Sequence, residues 1–292
     1  MASHRLQVRR CSVRTGPQGR TRPRLSRPVT NAVGVAKLPP PMTPRPLVLG
    51  PFQVPHLHER RVRLHLPPHS GEGPPPLVVM FDGQNVFHDE PSFAGGWHLH
   101  ETARKVATKK RREPAVVGVD HGGAERIHEL SPWAGARSHG KLDHLLDWMV
   151  GFLLPMLARD HGLSPDIGHR IVGGSSLGGL AALYAHHRHP EAFGGALAMS
   201  PSLWLAGQRI FDMVSHTSKP WTSRIYLDAG AQEAGGSMLR AAERMSSLLH
   251  QRGYDKNTLR FRSDPRGRHT EKDWRRRAPA ALRFLLPTGK RA

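Results

Sequence analysis

Apolar residues in this chain fall in short, dense runs. PLVVMF (76–81), PAVVGV (114–119), HRIVGG (169–174), FGGALAMS (193–200) and RIYLDAG (224–230) are each compact and bounded by turn residues. Runs of that length suit strands buried on both faces of a parallel sheet. RRVRLHL (60–66) instead alternates polar with apolar, the pattern of a half-buried antiparallel strand. Helical spacing covers 98–110, 140–160, 177–188, 205–216 and 236–252, and the chain closes with a strand at 258–263 and a helix at 271–286. Alternating strands and helices require crossover connections, so the pattern predicts an α/β fold: one mostly parallel central sheet with helices on both faces.

The pattern also predicts the domain organisation. The one strong Pro/Gly segment within the patterned region, LPPHSGEGPPP at 66–76, is short enough to connect two strands, and no repeat of 20–50 residues is present. Residues 42–292 therefore read as one domain. Residues 1–41 carry nine Lys and Arg, no acid and no hydrophobic periodicity, and are expected to be a disordered basic tail. The tail lacks the apolar core of a secretory signal. It is arginine-rich and acid-free like a mitochondrial presequence, but its prolines oppose an amphipathic helix, and Met42 offers an alternative start.

Charge changes the picture less than its size suggests. Of the net +20, the tail holds +9; the remaining 251 residues have 34 basic against 23 acidic side chains. No aromatic-interleaved basic stripe accompanies KKRRE or WRRRAP, so binding of nucleic acid or an anionic surface is the weaker reading. No apolar stretch has the roughly 18 residues of a membrane span. The single cysteine, Cys11, forms no intrachain disulfide, so the cytoplasm is the expected location.

The chemistry concentrates in IVGGSSLGGLAAL (171–183). Gly174-Ser175-Ser176-Leu177-Gly178 fits G-x-S-x-G between a strand and a helix, and the frame selects Ser176 over Ser175. A nucleophile there sits in a strained turn, and small residues on either side let strand and helix approach. The helix that follows points its N-terminal N–H groups toward the negative charge of an acyl-transfer transition state.

Such a serine needs a base and an acid, in the order Ser, acid, His, on loops that follow strands. The later histidines are His186, His187, His189, His216, His250 and His269. The first three lie on the helix leaving the nucleophile, and the next two near helix ends. Only His269 lies on a loop between a strand and a helix. For the acid, Asp228 and Glu233 compete; Glu233, past the Gly230 turn, can reach back to the histidine and is favoured. The HHRHP run at 186–190 is a poor metal site, because consecutive helical histidines diverge and no carboxylate cluster joins them. No metal or organic cofactor is expected.

VVMFDGQNVFHDEPSFAGGWHLHETA, VVGVDHGGAERIHELSPW, VGGSSLGGLAALYAHHRHPEAFGGALAMSPSLW and RHTEKDWRRRAPAALRFLL, taken together, resemble the esterase branch of the α/β-hydrolases. That group includes enterochelin-esterase-like proteins, feruloyl and acetylxylan esterases and, more distantly, mycolyltransferases. The resemblance spans roughly residues 50–287. It implies an α/β-hydrolase fold with Ser176 as nucleophile, His269 as base and Glu233, in a Gly-x-x-acid loop, as the acid. It also implies an oxyanion hole from the backbone N–H groups of Leu177 and, in Asp82-Gly83-Gln84, of Gln84. Arg126, in an Arg-x-x-Glu-Leu segment similar to that of enterochelin-esterase-like members, is a candidate substrate contact or half of an internal ion pair. Trp97 and Trp204 are candidate pocket walls. There is no His-Gly-Gly-Gly oxyanion motif. The implied activity is hydrolysis of a small-molecule carboxylic ester through an acyl-enzyme; transfer of the acyl group to an alcohol is the alternative.

Because a segment without an apolar face adds little to a core, deleting residues 1–41 is expected to leave the thermal midpoint and ester turnover nearly unchanged. A midpoint lowered by many degrees in a melt of the shortened chain would show that the tail packs on the domain.

Overall fold

The sheet that the pattern requires is present in the computed structural model, which describes residues 45–68, 73–92, 94–134 and 138–288, all within one compact unit. The basic tail and Cys11 lie outside the described residues. Eight strands form the sheet: β1 (Leu47–Phe52), β2 (Arg60–His65), β3 (Leu77–Phe81), β4 (Ala115–Val119), β5 (Arg170–Ser175), β6 (Gly195–Met199), β7 (Arg224–Gly230) and β8 (Leu259–Asp264). Their spatial order is β1-β2-β4-β3-β5-β6-β7-β8. β1 and β2 pair antiparallel, as do β2 and β4, and every pairing from β4 to β8 is parallel. This is the α/β-hydrolase arrangement.

The longer helices are α1 (Leu99–Val106), α2 (Leu142–Trp148), α3 (Leu154–His161), α4 (Leu177–Arg188), α5 (Arg209–His216), α6 (Ser237–Gln251) and α7 (Glu271–Leu285). Successive strand residues point to opposite faces, and that alternation divides the core. Val78, Met80, Val116, Ile171, Leu197 and Tyr226 face α1 and α7. Val79, Val117, Val172, Ala196, Ala198 and Leu227 face α2 to α6. Among the described residues no helix is long and apolar enough to cross a membrane.

Departures from the pattern have local causes. The helical pattern at 205–216 resolves into a short turn of helix, Leu203–Ala206, and α5, parted at Gly207 with φ 55°. The pattern at 140–160 is one helical run interrupted by a π turn at Met149–Leu153. β1 escapes the pattern because it is an edge strand with mostly exposed side chains, so burial imposes no alternation on it.

Beyond β4, the loop that approaches the C-terminal end of the sheet is fixed by a buried ion pair. Arg60 on β2 donates to Glu129, both 1% exposed, and Glu129 also accepts from the Gly122 N–H at 2.9 Å. Removing one member of such a pair strands the other charge away from water, at a cost of about 3–5 kcal/mol. Arg60→Met is therefore expected to destabilise the domain by that amount in urea unfolding. A loss within about 0.5 kcal/mol, the scale of ordinary surface changes, would show that Glu129 needs no counter-charge.

Candidate active site

Six loops leave the C-terminal ends of the parallel strands on the same edge of the sheet, where open α/β sheets place their chemistry. Ser176 comes directly after β5. Its backbone has φ 55° and ψ −120°, and it occupies the N-cap of α4. The neighbouring backbones are too close for ordinary side chains: a Cβ on Gly174 would lie 2.5 Å from the carbonyl carbon of Gly178. Ser175 is the last residue of β5, paired with Met199 and 7% exposed, so its side chain belongs to the sheet.

His269 lies between β8 and α7. Its Nε2 is 2.8 Å from Ser176 Oγ, and its Nδ1 is 2.9 Å from Glu233 Oε2. The imidazole is 37% exposed while the Glu233 side chain is fully buried, so the chain of contacts runs from the site mouth into the interior. The ring of Trp274 meets the imidazole edge-on, 4.9 Å between centroids, and limits its rotation. Ser202 places its own Oγ 3.2 Å from Ser176 Oγ.

Glu233 reaches the histidine because Gly230 ends β7 in a tight approach to Gly267; a Cβ on Gly230 would stand 2.3 Å from the Gly267 carbonyl oxygen. Its second oxygen, Oε1, accepts from the Gly230 N–H at 2.9 Å and the Ser200 hydroxyl at 2.7 Å, with Arg277 Nη2 at 3.4 Å. Burial raises the Glu233 pKa, but hydrogen bonds from His269 and Ser200 and the Arg277 charge outweigh it, and the net shift is downward. Asp228 faces the interior instead. It pairs with Arg277 at 3.2 Å, and burial pushes its pKa up to about 7 against the pull of Arg277 and the Ser200 N–H.

Leu177 is the first residue of α4, so its N–H is one of the helix's unpartnered first-turn donors. Gln84 sits in the turn Gly83–Asn85 after β3, whose bonds run from Asn85 to Asp82 and from Val86 to Gly83, leaving the Gln84 N–H outside them. The Gln84 side chain turns to the β4 loop, accepting from the His121 N–H at 3.1 Å. The two segments touch: a Cβ on Gly178 would lie 3.1 Å from Asp82 Oδ2 and 3.3 Å from Phe81 Cβ. Asp82 takes two bonds from Arg126, at 2.6 and 2.7 Å, which ties the β3 turn to the loop after β4.

The remaining candidates divide. Arg126 is 31% exposed with its guanidinium engaged by Asp82, and Glu129 of the same segment pairs with Arg60 rather than with Arg126. Trp97 is 3% exposed and lies in the core, 6.0 Å from Trp274, with no face for a ligand. Trp204 is 69% exposed in the short turn of helix after β6, two residues past Ser202. His186 and His187, from the HHRHP run, are buried and bonded to the carbonyls of Phe193 and Leu183, each at 3.0 Å.

Sequence reasoning missed Ser200, Ser202, Trp274 and Arg277. For Arg277 a signal existed: Trp274, Ala278, Ala281, Leu282 and Leu285 form the buried stripe of α7, and position 277 falls within it.

The "Putative esterase" family model matches residues 57–285. The iron(III) salmochelin esterase of Escherichia coli is 31% identical over 198 residues, covering 65% of this chain and 44% of that protein. The chain thus spans less than half the length of this curated relative. Among solved structures, the BES protein from Bacillus cereus is 18% identical with a TM-score of 0.68, covering 86% of this chain and 98% of that one. The enterobactin esterase FES from Shigella flexneri, in the presence of enterobactin, is 24% identical with a TM-score of 0.67, covering 84% and 59%. These two share the fold. With the family match extending from before β2 to the last residue of α7, the chain belongs to the esterase family of the α/β-hydrolase fold.

Proposed function

We propose that this protein hydrolyses a carboxylic ester in two steps through an acyl-enzyme on Ser176. His269 Nε2 takes the hydroxyl proton as Oγ attacks the ester carbonyl, and returns it to the departing alcohol. The N–H groups of Leu177 and Gln84 receive the negative charge that develops on the carbonyl oxygen. Water then attacks the acyl-enzyme with His269 again the base, while Glu233 holds the Nδ1–H tautomer and stabilises the imidazolium. The observation that carries this reading is the continuous contact chain from Ser176 Oγ through His269 to Glu233, at 2.8 and 2.9 Å.

The surroundings favour an ester that bears negative charge. A groove of about 710 Å³ adjoins the His269 loop, lined by Gln232, Arg266, Arg268, Thr270, Lys272 and Arg275 among others. Its acid, Asp273, is engaged by Arg276 at 2.7 Å. A field of one sign around a cleft steers counter-charged ligands toward it. The similarity to an iron(III) salmochelin esterase supports a small-molecule ester as the substrate. Trp204, exposed beside the site, offers a flat apolar face to the same ligand. The single cysteine supports a reducing compartment, the cytoplasm, as the location.

Ser176→Ala is expected to remove ester turnover, a loss on the order of 10⁶ for a triad nucleophile, together with labelling by a fluorophosphonate. Ser175→Ala is expected to keep substantial activity. Labelling that survives the first change but not the second would move the nucleophile to Ser175.

The acid is tested separately. Glu233→Gln is expected to lower kcat by about 10⁴ at an intact fold, the loss seen when a triad acid becomes an amide. Asp228→Asn is expected to do less, because its carboxyl faces Arg277. The measurement is kcat of each variant on one nitrophenyl ester, with circular dichroism to verify folding. Greater damage from Asp228→Asn would assign the acid to β7 itself, and a small loss in both would reduce the site to a Ser-His dyad.

A further inference from the structure

Behind Glu233 lies a polar cluster with no contact to the serine. Ser200 follows β6, is 0% exposed and holds φ 43°. Its hydroxyl has three partners: Trp274 Nε1 at 3.1 Å, Arg277 Nη2 at 2.8 Å and Glu233 Oε1 at 2.7 Å. Indole N–H and guanidinium N–H groups can only donate, whereas a hydroxyl has one proton and two lone pairs. Both lone pairs of Ser200 are therefore taken, and its single proton has one destination, the Glu233 carboxylate.

The direction of every bond in the chain follows. Trp274 and Arg277 donate to Ser200, Ser200 and the Gly230 N–H donate to Glu233 Oε1, and Oε2 is left to accept from His269 Nδ1. A carboxylate that meets donors alone has no place for a proton of its own. With Nδ1–H committed to Glu233, the lone pair of the imidazole sits on Nε2, facing Ser176. Resting on the triad reading above, we propose that Ser200 and Arg277 are positioning residues which hold Glu233 ionised and so fix the tautomer in which His269 can act as base.

The other charges near Glu233 make Arg277 necessary. Asp228 lies on β7, Arg277 on α7 and His269 on its loop, while farther out Tyr226 faces Asp228, Arg262 of β8 acts on Tyr226 and Asp264 of β8 acts on Arg277. Two buried carboxylates, Asp228 and Glu233, share a single guanidinium, that of Arg277, at 3.2 and 3.4 Å. Arg277 Nη1 lies near Asp228 Oδ1 without the alignment of a hydrogen bond, whereas Nη2 donates to Ser200 at 2.8 Å and, at 3.4 Å, to Glu233 Oε1. The guanidinium thus balances charge toward Asp228 and orients a hydroxyl toward Glu233. The low Glu233 pKa agrees with that arrangement.

The test uses the full chain and one nitrophenyl ester. Ser200→Ala removes the oriented hydroxyl and, with it, the acceptor of Trp274 Nε1 and Arg277 Nη2. It is expected to lower kcat by about 10- to 100-fold, the value of a hydrogen bond to a charged group, with KM little changed. It should also move the acid limb of the kcat/KM profile to higher pH, because a carboxylate with one donor fewer binds its proton more tightly and the limb belongs to the coupled Glu233–His269 pair. Arg277→Gln alone strands Asp228, so the companion variant is Asp228→Asn/Arg277→Gln, which removes both charges. It should shift the limb in the same direction, while Arg277→Lys should restore part of the wild-type profile. A folded Ser200→Ala protein with wild-type kcat and an unmoved acid limb would overturn the proposal. So would a lower kcat with an unmoved limb and a reduced melting temperature, which would confine the cluster to the fold. Turnover retained by Ser176→Ala would instead overturn the triad reading itself.

Discussion

The site depends on one backbone conformation, that of Ser176. At φ 55° and ψ −120°, a serine is outside the regions an L-residue prefers, and such strain costs on the order of 1–3 kcal/mol. The conformation persists because its surroundings leave no alternative. Gly174 lets the strand approach the backbone of Gly178 closer than a Cβ would permit, and Gly179 has the Met199 carbonyl oxygen only 2.9 Å from where its own Cβ would be. The Ser176 N–H is held by the Met199 carbonyl at 2.9 Å. Relaxing the turn would separate α4 from the sheet, so packing of the most buried helix keeps the serine proud of the strand. That same turn leaves the Leu177 N–H without a partner in the helix and brings α4 against Asp82.

The second constraint is electrostatic, and it lies deeper. Placing Glu233, Asp228 and Arg277 away from water is unfavourable unless each charge is matched and bonded. Position rather than chemistry separates the two acids. Asp228 is the fifth residue of β7 and points into the core beside Tyr226, where burial favours its neutral form. Glu233, three residues past the strand's end, meets four hydrogen bonds, and its pKa is held below the ordinary carboxylate value. Two carboxylates within reach of one arginine therefore differ in how tightly they hold a proton, and only the more acidic one touches the histidine.

These constraints decide how much the sequence revealed. The five buried parallel strands were legible because a strand covered on both faces reads as an unbroken apolar run. Ser176 was legible because its conformation demands glycines at fixed offsets, and the G-x-S-x-G frame excludes Ser175. His269 stood out by place, on a loop between a strand and a helix, and the reach of Glu233 past Gly230 followed from the geometry of a turn. The supporting groups left no such trace. Ser200 looks like any serine at the end of a strand, since its role comes from Trp274 and Arg277, more than seventy positions away. Arg277 was hidden by its neighbours in WRRRAP, which reads as a solvated basic run. Only the apolar stripe of α7, counted in steps of three and four, separates it from Arg275 and Arg276, both exposed.

The same sorting bears on the meaning of the basic charge. Arg60, Arg126 and Arg277 each spend their charge on a carboxylate that is itself buried: Glu129, Asp82 and Asp228. Glu233 is a fourth buried acid, so acids are withdrawn from the surface at least as fast as arginines are, and the exterior is no less basic than the composition implies. Around the His269 loop that surplus lies within reach of a bound ligand. At physiological salt a charge acts over about 8 Å, so distant basic residues add little to binding there and the loop's own arginines add most. The excess of Lys and Arg therefore needs no nucleic-acid partner to give it a role. In the proposed reaction, an ester carrying negative charge meets it at the edge of the sheet that also holds the serine and the histidine.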